Sequence, residues 1–211
     1  PDDHRWLSAR VPCSLEMHAE VGIDLPSIVD AGVDMINLSP SFFTFQAHDV
    51  AKVRRLVPDV AVYLEMCHCT MTGQRLTTTG GDNFLFMRTT DQQYYTTAHV
   101  AYRRGADGIS LFNFVYYRDH GVPGRGPFNE PPFHVLEHLG DPDWLARQAQ
   151  WYFLAENGFT KSSGQLPLRF EKGDAQTFEL DMAPTEHQST DGFFRLMAAE
   201  DTSKCQWMAK V

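Results

Sequence analysis

Cysteine is scarce in this sequence, with four residues in 211, too few for a disulfide scaffold. Long hydrophobic runs are missing: no stretch of 18 apolar residues exists, so no membrane span is expected. Positive charge is in deficit. Eighteen Lys and Arg stand against 27 Asp and Glu, a net charge of −9, which argues against a nucleic-acid surface. The commonest hydrolase signatures are also lacking: there is no Gly-x-Ser-x-Gly elbow and no His-Glu-x-x-His. No Gly-rich phosphate turn opens a helix. The nearest stretch, residues 121–126, follows an apolar run but reads as a loop. The chain opens on Pro1 with no signal-peptide pattern, which reads as a processed or truncated chain.

What remains is an ordinary globular composition, 43% apolar and 21% charged. Short apolar runs alternate with helical patterns. Strands are predicted over Val11–Met17, Met35–Leu38, Val60–Met66 and Gly108–Phe114. Helices are predicted from Asp24, with Pro26 in the first turn and Gly32 at the end; over 47–56, stopped by Pro58; from Thr90, with Gln93 completing a capping box, to Arg104; and from Asp141-Pro142 through Phe153. The strands are nearly continuous apolar runs, as in parallel strands buried on both faces. Long connections, 67–89 and 115–140, follow the third and fourth strands, where α/β folds place their sites.

Four β/α units make half of an eight-unit (β/α)8 barrel, which needs roughly 250 residues. From Gln165 the pattern alternates with period two, at Leu166, Leu168 and Phe170, then at Phe178, Leu180 and Met182. Weaker strands are predicted at 193–198 and 205–211. The expected fold is therefore α/β: a half barrel over residues 1–160 and a small antiparallel β-domain over 165–211. Leu15, Ile36, Val62 or Leu64, and Leu111 are expected on its open inner face. A missing N-terminal half-barrel, a second copy, or the C-terminal strands folding back, in that order, is expected to close it.

Glu16 and Glu65 share a local text, Leu-Glu-Met, and each ends a predicted buried strand. An ionised carboxylate is costly to bury without partners but useful at a barrel mouth. Next-but-one strands lie roughly 9.6 Å apart, and converging side chains fit the roughly 5–9.5 Å spacing of a glycosidase pair. Both residues are catalytic candidates; the competing reading is structural ion pairing with Arg or Lys. His18 falls on the same side as Glu16 if the strand persists. Asn113 offers a donor and an acceptor near the end of the fourth strand. Phe43, Tyr116 and His68 are further candidates for substrate contact, since sugar rings suit flat apolar faces beside polar groups. Cys67-His68-Cys69 lacks the usual ligand spacing of zinc sites, so it reads as packed cysteines and a hydrogen-bonding histidine. No metal and no cofactor are expected. The sequon Asn37-Leu38-Ser39 falls in a predicted buried strand and is discounted.

Arg10-Val11-Pro12, residues 22–25, residues 28–34 and the run Gly105–Phe114 together resemble bacterial glycoside-hydrolase-like proteins. The resemblance covers roughly residues 8–170. It implies a (β/α)8 barrel with a C-terminal β-domain, with the four units as strands five to eight. Glu65 would match the strand-seven nucleophile of retaining glycosidases with this barrel, whose acid/base would precede Pro1. The implied activity is glycosidic bond hydrolysis. A non-catalytic carbohydrate-binding or scaffold protein is the alternative, and a metal-dependent lyase or isomerase using Glu16, His18 and Glu65 a third.

Overall fold

In the computed structural model, residues 5–71, 86–117, 130–155, 166, 171, 173–184 and 192–193 are described. Their elements run β1 (Ser8–Pro12), α1 (Glu16–Glu20), α2 (Leu25–Asp30), β2 (Met35–Ser39), α3 (Val50–Leu56), β3 (Ala61–Cys67), β4 (Cys69–Met71), β5 (Phe86–Arg88), α4 (Asp91–Arg103), β6 (Gly108–Phe112) and α5 (Pro142–Ala146). Local chemistry accounts for most of these boundaries. The Asp24 carboxylate accepts the Ser27 N–H and starts α2, with Pro26 in its first turn. Thr90 and Gln93 close a reciprocal capping box on α4. The turns into β2 and β6 use Gly32 and Gly105 at φ 99° and 96°, a left-handed conformation that a Cβ would strain.

The protein is α/β, with a four-stranded parallel sheet in the order β1-β2-β3-β6. Strand order follows chain order, with no reversal. Because side chains alternate along a strand, the register sorts the sheet into two faces. One carries Val11, Ile36, Leu38, Val62 and Leu64, which form a core with Leu25, Phe45, Val50, Val53 and Ala101. Met66 joins Tyr94 and Ala98 of α4 in a second cluster, with Leu111 packed against it. The other face carries Arg10, Asn37, Ser39, Tyr63, Glu65, Ser110 and Phe112.

This separation corrects the expectation for the inner face. Ile36, Val62, Leu64 and Leu111 face the helices, and Leu15 packs at the margin of the same core. The opposite face is polar. Its strands are amphipathic rather than apolar on both sides, a distinction that short runs obscure.

Other element expectations also differ. The first strand ends at Pro12 rather than Met17. After Cys13, whose N–H donates to the Ser39 carbonyl at 2.9 Å, the Asp49 carboxylate captures the Leu15 N–H at 2.9 Å. The good helix formers that follow make α1. The last helix is only Pro142–Ala146. Beyond it, through residue 155, the chain forms no helix or strand and is held by the Thr96 hydroxyl, which accepts the Trp151 N–H at 2.7 Å, and by Gln46, whose amide oxygen accepts the Phe153 N–H at 3.0 Å. Finally, residues 173–184 form neither helix nor strand, so the alternation at Phe178, Leu180 and Met182 does not produce a strand. Side chains, not a ladder, anchor this stretch. The Tyr152 hydroxyl bridges the backbone of Ala183, and Arg104 pairs with Asp181. Most of residues 165–170, 193–198 and 205–211 lie outside the described residues. The antiparallel pair that is present, β4 with β5, belongs to the connection after β3. Among the described residues, no helix is long and apolar enough to cross a membrane.

Candidate functional site

Glu65 lies on the polar face of β3 and is 3% exposed. Four donors meet its two oxygens. Arg10 of β1 forms a fork, Nε donating to Oε2 and Nη2 to Oε1, both at 2.7 Å. The Ser39 hydroxyl of β2 donates to Oε1 at 2.6 Å, and the Asn37 amide of the same strand donates to Oε2 at 3.2 Å. Ser110 of β6 donates to the Asn37 amide oxygen at 2.7 Å, which turns that amide's NH2 toward Glu65. All four strands of the sheet thus contribute to one network.

The Arg10 guanidinium also stacks over the Phe112 ring, 4.4 Å from its centre, and Phe42 lies beside Phe112 at 5.8 Å. Its pKa is raised, first by the hydrogen bond to Glu65, against the opposing effect of burial. The Arg10 side chain remains 45% exposed, so the network opens to solvent on that side. Two non-glycine residues in the left-handed region flank it. Ser41 (φ 67°) follows β2 and Asn113 (φ 53°) follows β6. The Ser41 carbonyl accepts from Arg10 Nη2 at 3.3 Å, and its N–H donates to the Ser39 hydroxyl at 3.0 Å. Such strain is held only where surroundings fix it, and it collects at functional sites.

A second cluster begins two residues beyond Glu65. His68 stands between β3 of the parallel sheet and β4 of the antiparallel pair, and its carbonyl accepts the Thr89 N–H at 3.0 Å. The change of direction there brings consecutive side chains together. Cys67 Sγ lies 3.2 Å from His68 Nδ1 and 4.0 Å from Cys69 Sγ. The Cys69 thiol donates to the Phe42 carbonyl at 2.8 Å. All three side chains are buried. Burial pushes the Cys67 thiol up, but hydrogen bonding with Cys69 and His68 and the charge of His68 outweigh it and bring it down to about 6.

The remaining candidates scatter. Glu16 does not end a strand: it opens α1 with an exposed side chain, so the matched pair of strand-end carboxylates is not formed. His18, also on α1, is buried, with Nε2 2.7 Å from the Pro12 carbonyl, and serves as a backbone anchor. On a helix, residues two apart do not share a side, which removes the argument that joined it to Glu16. Phe43 is buried against Cys67 and Cys69. Asn113 sits where it was expected, but its left-handed backbone terminates the strand at Phe112, and Phe114–Tyr117 forms a 3-10 helix. The side chain of Tyr116 lies outside the described residues. The sequon residues Asn37 and Ser39 are in β2, as expected, where both bind Glu65.

Arg10, Asn37, Ser39 and Ser110 were not predicted as site residues. A signal was available for Asn37 and Ser39, polar residues two apart at the second predicted strand, but not for Arg10, which precedes the first predicted strand, or for Ser110, which has no polar neighbour two positions away. No family model matches the chain, and no curated protein matches it.

Proposed function

We propose that the sheet is half of a (β/α)8 barrel and that its polar face binds a carbohydrate, in a protein of the glycoside-hydrolase-like kind. The observation that carries this reading is the single network joining all four strands around Glu65. Strand order without reversal suits a singly wound barrel rather than an open doubly wound sheet. In a barrel, right-handed crossovers put every helix outside, leaving this polar face inside, with its functional groups toward the strand C-termini. Phe112 and Phe42 add flat apolar surface beside the hydrogen-bonding groups, the combination a sugar ring presents in complement.

Both Glu65 oxygens act as acceptors here, and every partner is a donor. This suits an anionic role, as nucleophile or stabiliser of positive charge, and not that of a general acid. Among the described residues, no second carboxylate joins the network. Hydrolysis would therefore draw its acid from outside these four strands. Binding without catalysis is the second reading, and the tight Arg10–Glu65 clamp favours it.

The test is calorimetric titration with a panel of soluble oligosaccharides, alongside turnover of aryl glycosides, for wild type and Glu65→Gln. Binding of one sugar class is expected, weakened at least ~10-fold in Glu65→Gln by loss of the ion-paired acceptor. Turnover that falls at least ~10²-fold in the variant would make Glu65 the nucleophile. Wild type that binds none of the panel would overturn the proposal.

A further inference from the structure

We propose that Cys67, His68 and Cys69 form a site for a single zinc(II) ion at the C-terminal end of β3. The geometry is nearly that of a bound state. With Zn–S of about 2.3 Å and Zn–N of about 2.0–2.1 Å, tetrahedral angles place two thiolates about 3.8 Å apart and a thiolate and an imidazole about 3.5 Å apart. The corresponding separations here are 4.0 Å, Cys67 Sγ to Cys69 Sγ, and 3.2 Å, Cys67 Sγ to His68 Nδ1. All three ligand atoms lie within 4.8 Å of one another. Cys67 needs shifts of only a few tenths of an ångström relative to either partner, and the remaining pair, His68 and Cys69, closes by up to ~1.3 Å through side-chain rotation to complete one face of a tetrahedron. Two thiols and an imidazole are soft and borderline donors, which select zinc over magnesium or calcium.

Sequence spacing alone does not reveal this site, because adjacent residues of a regular strand point to opposite faces. The break between β3 and β4 at His68 removes that objection. Three ligands among the described residues leave a fourth position for a further donor. Binding displaces protons: the Cys69 thiol gives up the one now donated to the Phe42 carbonyl, and any proton shared by Cys67 and His68 is released with it. No change of oxidation state is involved. Because all three residues are buried, the ion is expected to enter as the chain folds and to exchange slowly.

The full chain, purified reduced and without chelator, is analysed for metal, then unfolded with chelator, freed of both, and refolded with zinc(II) or cobalt(II). One equivalent of zinc is expected, and the cobalt form should show thiolate-to-metal charge transfer with the strong visible bands of a tetrahedral site. Cys67→Ser and Cys69→Ser should each weaken zinc binding at least ~100-fold, whereas Cys13→Ala, a core thiol outside the cluster, should retain it. A second measurement needs no variant. Zinc should protect Cys67 and Cys69, but not Cys13, from alkylation in partly denaturing conditions that expose all three thiols, read by peptide mass spectrometry. Absence of charge transfer, equal alkylation of Cys67 and Cys69 with and without zinc, or a Cys67–Cys69 disulfide in the reduced preparation would each overturn the proposal.

Discussion

Without the guanidinium of Arg10, the Glu65 carboxylate would be left buried with two neutral donors, Ser39 and Asn37. Breaking a buried ion pair on one side typically costs 3–5 kcal/mol, but Arg10 is almost half exposed, so water would replace part of what it supplies. Arg10→Met is therefore expected to lose about 2 kcal/mol in urea denaturation at pH 7. Arg10→Met/Glu65→Met should recover most of that loss, because no uncompensated charge remains. An Arg10→Met protein as stable as wild type would show the pair to be a screened surface contact. At this scale the sequence marked Glu65 as a costly carboxylate. It did not identify its partner, because Arg10 is 55 residues away and reaches it only through the strand register.

Between elements, polar side chains do much of the joining. Arg104, just past α4, donates to the carbonyls of Gln46 and His48 and to Asp181. Beside it His48 is buried, with neither ring nitrogen hydrogen-bonded among the described residues. Burial first, and then the charge of Arg104, bring the imidazole pKa down to about 3. In the unfolded chain an unperturbed His titrates near 6.5, at about 1.4 kcal/mol per pH unit of difference. The folded pKa is the lower one, so the unfolded state binds the extra proton between these values. Stability is therefore unaffected by His48 above about pH 6.5 and is lost as pH falls from there toward about 3. Wild type should lose ~2 kcal/mol more than His48→Leu between pH 7 and pH 5, measured by denaturant titration. Parallel profiles for the two proteins would contradict this. Caps and glycine turns made α2 and α4 legible, because a side chain three residues from a helix start is a local partner. The ends of β1 and α5 were not, because Asp49, Thr96 and Gln46 settle them from distant parts of the chain.

For the molecule as a whole, β1 and β6 are the two ends of the parallel sheet, and each has one neighbouring strand among the described residues. Edge strands present unpaired backbone groups that pair with another chain unless covered. The polar sheet face adds half-exposed groups rather than bare core, which removes a hydrophobic cost but leaves the edges. If the half barrel proposed above is closed by a second copy rather than by a further stretch of chain, two chains associate. Light scattering after size exclusion should give about twice the 24.0 kDa chain mass. A single species of chain mass at every concentration tested would show that the edges are covered within one chain.

Apolar runs, caps and glycine turns determined from the sequence alone that this is an alternating β/α chain with parallel strands, and placed Glu65 at the end of one of them. Those signals are local: they depend on side-chain period and on partners a few residues away. Tertiary structure decided which face of each strand is apolar, that Glu16 belongs to a helix, and that Arg10, Asn37, Ser39 and Ser110 converge on one carboxylate. It also decided that Cys67, His68 and Cys69 meet. Each of these depends on register between strands or on a break in one strand, and neither is encoded by the spacing of the residues themselves.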